Sequence, residues 1–167
     1  CDPLYLMMNK PRGCVSATKD HKNTTVLGLM DLPAKEQLHL AGRLDFNTTG
    51  LLLMTNDGNW SSKVMSPLHK IPKTYRVETS DEITEDYVQK FSEGIYFQYE
   101  DITTLPAKLK LLSATTAELT LHEGRYHQVK RMFGFFQNKV IALHRLSMGS
   151  IVLDKSLDPG EHRFLTP

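Results

Sequence analysis

Ala41-Gly42-Arg43-Leu44-Asp45-Phe46-Asn47-Thr48-Thr49-Gly50-Leu51-Leu52-Leu53-Met54-Thr55-Asn56-Asp57-Gly58 sets one carboxylate, Asp45, in a turn-rich segment between two apolar runs. His39 to Ala41 and Leu51 to Thr55 read as short buried strands, each bounded by turn residues. Between them, Arg43 to Gly50 carries the Asp, Asn, Thr and Gly that close a structured loop through side-chain hydrogen bonds and permissive backbone. A carboxylate held there is expected to face a cleft rather than bulk water, so function is to be read outward from Asp45. The loop also opens like a calcium site, with oxygen donors at Asp45, Asn47 and Thr49 followed by Gly50. Its second half fails that test, because Asn56 stands where a bidentate Glu is needed and Leu51 to Met54 read as strand.

The remaining composition narrows the class. The 167 residues suffice for a substantial core, and 40% hydrophobic with 23% charged residues is ordinary for a globular protein. Cys1 and Cys14 are too few and too unpatterned for a disulfide framework or a zinc site, which favours a reducing, cytoplasmic setting. No apolar run approaches the roughly 20 residues that a membrane helix needs. The seven histidines show neither HExxH nor zinc-finger spacing, so no metal is expected, and His127 and His144 read as ligand-facing or structural rather than metal-binding. The chain opens with Cys1-Asp2-Pro3, without an initiator Met or a basic, apolar leader, and reads as a fragment.

Charge is unevenly distributed. Residues 1–76 hold ten Lys or Arg against six Asp or Glu, residues 77–121 hold three against nine, and residues 122–167 hold seven against four. The two basic segments contain every motif singled out here, so a polyanion is expected to lie across them while the acidic middle faces away.

Leu4 to Met8, Thr74 to Glu78, Ala107 to Leu112, Ala117 to His122, Val140 to Leu143 and Ile151 to Leu153 read as further strands by β-branched or alternating apolar content. Helices are expected at Trp60 to Met65, at Thr84 to Ser92 with a capping Thr and a stop before Gly94, and at Arg125 to Gln137. Strands cluster rather than alternate strictly with helices, which favours an α+β fold on a mainly antiparallel sheet over a doubly wound one. At about 100° per residue, Tyr126, Val129, Met132, Phe133 and Phe136 of the last helix share an arc expected to be core, and His127, Lys130 and Arg131 fall opposite.

The segment from Gly42 to Gly58 resembles the signature of the pseudouridine synthases, in the branch acting on small-subunit ribosomal RNA, whose pattern is G-R-L-D-x-x-T-T-G-L-L-L-x-T-x-D-G. Asn9-Lys10-Pro11-Arg12-Gly13 resembles the family's N-K-P-x-G turn, and Lys73-Thr74-Tyr75 its K-x-Y motif. Glu123 to Met132 looks like its third motif, and Leu143 to Gly149 like its apolar L-x-R-x-x-I-G wall, with Met148 where isoleucine is usual. The matches run through the chain in order.

The resemblance implies a single catalytic domain over residues 1–167, of mainly antiparallel mixed sheet with few helices and a central active-site cleft. It makes Asp45 the catalytic carboxylate, Tyr75 the ring that stacks on the target base, and Lys130 the cation that pairs with the carboxylate. It gives substrate contacts to Lys10, Arg12, Arg43, Thr48, Thr49, Arg125, His127, Gln128, Arg131, Leu143 and Arg145. It also implies no cofactor and no metal, a monomer, a ribosomal RNA or ribosome-assembly intermediate as partner, no membrane, and an S4-type RNA-binding module ahead of the catalytic domain in branch members. Isomerising uridine means breaking the bond from ribose to N1, turning the base and rejoining it through C5. An anionic carboxylate can serve by adding to base or sugar or by assisting proton removal from the ribose, and the sequence does not choose among these. An ammonium nearby favours the ionised carboxylate, and an aromatic surface compensates the stacking lost when the uridine is flipped or unpaired. The rival readings are a synthase acting on large-subunit RNA or tRNA and a noncatalytic RNA-binding assembly factor. Intact Asp45, Tyr75 and Lys130 argue against the second.

Overall fold

The computed structural model describes residues 2–17 and 24–166. Cys1 lies outside the described residues, and Cys14 is a buried free thiol. In chain order the described strands are β1 (Tyr5–Lys10), β2 (His39–Ala41), β3 (Thr49–Thr55), β4 (Lys73–Thr79), β5 (Tyr96–Phe97), β6 (Ile102–Thr103), β7 (Lys108–Leu111), β8 (Thr116–Leu121), β9 (Val140–Met148), β10 (Ile151–Val152) and β11 (His162–Phe164). The α-helices are α1 (Gly58–Met65), α2 (Glu85–Glu93) and α3 (Gln128–Gly134). The chain divides into two units, Cys1–His69 with Ser150–Pro167, and Lys70–Gly149.

In the first unit, β1 pairs antiparallel with β3 from Tyr5 opposite Thr55 to Lys10 opposite Gly50, and on its other side with β11. β2 pairs antiparallel with β3, Leu40 opposite Met54. Leu51, Leu52, Leu53 and Met54 are all fully buried, so β3 is covered on both faces, which is why it reads as an unbroken apolar run rather than an alternation. Asp57 caps α1, accepting from the backbone N–H of Asn59 and Trp60 and from the Tyr5 hydroxyl. Tyr5 and Trp60 meet edge to face, 5.1 Å between centroids.

In the second unit the antiparallel order is β9, β4, β8, β7. The α2 and α3 side chains meet in a core built from Val77, Tyr87, Phe91, Leu119, Met132 and Phe133, with the Phe91 and Phe133 rings 5.1 Å apart and nearly perpendicular. Each such ring stabilises the unit by about 1.5–3 kcal/mol through burial. Gly94 ends α2 at φ +103°, where a Cβ would meet the Thr104 carbonyl oxygen at 2.5 Å, so the stop expected at this glycine is enforced by both backbone and space.

Several elements differ from expectation. Thr84 sits at the N-cap of α2 but its hydroxyl bonds the Asp86 carboxylate rather than a backbone N–H. β9 continues to Met148, so the L-x-R-x-x-I-G segment is strand. The two-residue strands β5 and β6, and β11, are too short to show a period in the sequence. The helix expected from Arg125 starts only at Gln128, because His127 is in the left-handed region at φ +48° and breaks the helical path. Val129, Met132 and Phe133 are buried as expected, whereas Tyr126, expected in the core, is 75% exposed.

Candidate active site

Asp45 lies in the loop between β2 and β3, and that loop is fastened through its backbone. The Thr48 N–H donates to the Asp45 carbonyl at 3.0 Å, and the Gly13 N–H to the Phe46 carbonyl at 2.9 Å. The Leu44 N–H donates to the Ser16 hydroxyl at 3.2 Å. Gly42 and Gly50 bracket the loop with φ of +98° and +107°, a conformation that costs other residues strain. The principal fastener is Lys10. Strand alternation puts it on the same face of β1 as Leu6 and Met8, and it is fully buried. Its ammonium donates to the carbonyl oxygens of Thr48 at 2.8 Å, Asp45 at 3.0 Å, Pro11 at 3.1 Å and Phe46 at 3.3 Å. Burial draws the Lys10 pKa below the usual lysine value, opposed by its electrostatic interaction with the nearby Cys14 and Asp45 side chains. The ring of carbonyls supplies the solvation that a buried cation otherwise lacks. Asp45 itself is exposed, as is Phe46 beside it, so a rigidly held backbone presents a carboxylate to solvent.

In the second unit, Tyr75 on β4 stands opposite Arg145 on β9. The register shifts there, Thr74 pairing with Ser147 and Tyr75 with Arg145, so Leu146 is the extra residue of a bulge. Such a bulge re-aims its neighbours. Arg145 is only 2% exposed. Lys73, half-buried, has its pKa lowered first by burial and then by the positive charge of Arg145, with Glu123 opposing. Buried Glu123 clamps the turn ahead of α3: it accepts from the Leu105 N–H at 2.7 Å and from Gln128 Nε2 at 3.0 Å, and pairs with Arg125 Nε at 2.9 Å. Arg131 makes a bidentate pair with Glu100 at 2.6 and 2.7 Å and lies 3.8 Å from the centroid of the Phe97 ring.

Asp45, Arg12 and Arg43 are exposed in the first unit, Thr49 is half-buried and Thr48 is buried. In the second, Lys130 and Arg125 are exposed, Tyr75, His127 and Leu143 are half-buried, and Arg145 is buried. Four expected RNA contacts are buried: Lys10 spends its ammonium on backbone carbonyls, Gln128, 3% exposed, is bonded to Glu123 and to the Arg125 N–H, and Thr48 and Arg145 are each 2% exposed. Arg131 is committed to Glu100. Sequence reading gave no role to Lys73, Glu123 or exposed Tyr126. A signal existed for Lys73, which alternation places on the face of β4 that holds buried Val77. An open groove of about 930 Å³ in the first unit is lined by Tyr5, Met7, Trp60, Val152 and Arg163, among others, and by none of the expected site residues. No group of three His, Cys, Asp or Glu among the described residues could hold a metal ion. No described helix is long and apolar enough to cross a membrane.

The family model described as RNA pseudouridylate synthase matches residues 4–134, and the chain belongs to that family of RNA-modifying isomerases. Among its relatives is the ribosomal small subunit pseudouridine synthase A of Pseudomonas aeruginosa, 54% identical over 159 residues that make up 95% of this chain and 69% of that protein. The Vibrio cholerae protein of the same name is 54% identical over 98% of this chain and 71% of its own length. A crystal structure of a pseudouridylate synthase superposes with a TM-score of 0.95 at 48% identity, covering 99% of this chain and 71% of that one. An archaeal box H/ACA Nop10–Cbf5 complex shares the fold at a TM-score of 0.60 and 17% identity, over 94% of this chain and 51% of the matched chain.

Proposed function

We propose that this chain converts a specific uridine of small-subunit ribosomal RNA to pseudouridine, with Asp45 as the catalytic carboxylate. The observation that supports the residue assignment is the Lys10 cage, which fixes the backbone of Asp45 while leaving its side chain exposed to a substrate. The RNA class is supported by the relatives' names, since proteins 54% identical over nearly all of this chain are small-subunit synthases.

The reaction is an isomerisation, so nothing is gained or lost overall: the bond from C1′ to N1 breaks, the uracil turns, a bond from C1′ to C5 forms, and the proton on C5 leaves as N1 gains one. Asp45 supplies the anionic group that promotes departure of the base. Tyr75 stacks on the uracil, replacing the stacking lost when the nucleotide leaves its helix. Lys130 contributes positive charge to the reaction, and the exposed Arg12, Arg43 and Arg125 contribute it to holding the RNA.

Asp45→Asn keeps size and hydrogen-bonding capacity but removes the charge. The expected result is a folded protein that binds RNA and releases no tritium from 5-tritiated uridine in the substrate. Activity within about tenfold of wild type, equivalent to about 1.4 kcal/mol of barrier, discards Asp45 as the central residue. Pseudouridine mapping of ribosomal RNA from cells lacking the protein identifies the uridine, and loss of a site outside the small subunit rejects the assigned RNA.

A further inference from the structure

Tyr126, expected in the core by helical spacing, lies at the surface. Its ring is 75% exposed, yet it is held. The His127 ring stacks on it, 3.9 Å between centroids and 21° between planes. Arg131 Nη1 donates to the Tyr126 carbonyl at 3.1 Å, and Arg131 is itself anchored by its bidentate pair with Glu100. On the other side of the turn, Glu123 and Gln128 hold Arg125. His127 keeps a left-handed φ of +48°, a strained conformation for a residue other than glycine, and these bonds on both flanks offset its cost.

A large ring held out of the core by a clamped turn offers its flat face to a partner. The surroundings choose among partners. Arg125, Lys130 and Arg131 lie within five residues of the ring, and with Glu123 and Glu100 ion-paired to the two arginines one net positive charge, that of exposed Lys130, is left over. Positive charge around an exposed aromatic face suits an unpaired nucleotide, whose base stacks and whose phosphate meets a cation.

We infer that Tyr126, backed by His127, is a stacking platform for an unpaired base of the RNA substrate, distinct from the uridine that is isomerised. This deepens the functional reading above and rests on it for the identity of the polymer. Tyr126 takes no part in bond breaking; it positions the RNA and so acts on affinity.

The test measures RNA dissociation constants, KM and kcat for the whole chain on a small-subunit rRNA fragment, with Tyr126→Ala, Tyr126→Phe and Tyr126→Leu. Exposed Tyr99, 97% accessible, serves as control through Tyr99→Ala. Circular dichroism and thermal melting establish that each variant folds. Tyr126→Ala is expected to weaken binding and raise KM by about tenfold or more, the range that base-aromatic stacking supplies, with kcat at saturation within about twofold. Tyr126→Phe should stay within about twofold of wild type, and the slope of log Kd against log salt should not change, since no phosphate contact is lost. A 2-aminopurine placed in turn at each unpaired position should show quenching that Tyr126→Ala abolishes at one of them. Unchanged binding by Tyr126→Ala, equal binding by Tyr126→Leu and Tyr126→Phe, or an equal loss in Tyr99→Ala each overturns the platform. Because affinity and pseudouridine formation are read separately, a wild-type chain that binds but forms no pseudouridine defeats the functional reading and leaves the stacking result intact.

Discussion

The Lys10 ammonium lies 3.0 Å from the carbonyl oxygen of Asp45, and through it the interior of the first unit sets the backbone that carries the proposed catalytic carboxylate. Lys10→Met therefore removes a hub, not a surface charge. It takes the ammonium away from four carbonyls: those of Asp45 and Phe46 keep the Thr48 and Gly13 N–H groups, while those of Thr48 and Pro11 lose this donor, and a buried acceptor left unsatisfied costs about 1–3 kcal/mol. The expected result is a loss of about 3 kcal/mol in unfolding free energy by denaturant titration, and a fall in kcat larger than the fall in RNA affinity. Undiminished stability would mean that the loop holds itself.

Tyr75→Phe and Lys130→Met separate base handling from charge. The first keeps most of the stacking surface and loses the hydroxyl, and the second loses the ammonium of an exposed helix residue. Both should reduce single-turnover rates more than RNA affinity. Equal losses in rate and affinity at either position make that residue a positioning contact.

Phe133→Ala tests the second unit by itself. Phe133 is fully buried, packs edge to face with Phe91 and tilts against Tyr87. Truncating a ring so enclosed costs about 3–5 kcal/mol, and the thermal midpoint should drop accordingly. A loss below about 1 kcal/mol would show that the aromatic cluster collapses around the vacancy.

Acid sensitivity has a local source in Asp154. Its carboxyl is held down to about 2, from an ordinary 3.8, by the backbone N–H and hydroxyl of Ser156 and by Arg163. A lowered carboxyl pKa means that the folded state prefers the charged form, so the stabilisation is fully present above pH 3.8 and is lost as pH falls toward about 2. Carbon-detected NMR titration should place the Asp154 midpoint near 2, and Asp154→Asn should remove this part of the acid dependence. A midpoint at the ordinary value would show that Ser156 and Arg163 do not hold the carboxylate in solution.

What the sequence determined by itself was set by local pattern. The unbroken Leu51 to Met54 run, short and bounded by turn residues, reads as a strand covered on both faces, and the stop of α2 at Gly94 follows from a backbone conformation that glycine tolerates. The motif around Asp45 and the tyrosine at position 75 were legible because residue type and order were enough to mark them. Tertiary structure decided the residues whose role depends on what surrounds them. Lys10 reads as a surface cation in any linear pattern, and only the face of β1 it shares with Leu6 and Met8, together with four converging carbonyls, makes it internal. Tyr126 fits a helical apolar arc by spacing, yet a left-handed φ at His127, sustained by hydrogen bonds from Arg131 on one flank and to Glu123 on the other, turns its ring out to solvent. Periodicity assumes a regular backbone, so it fails where distant side chains supply the bonds that hold an irregular one.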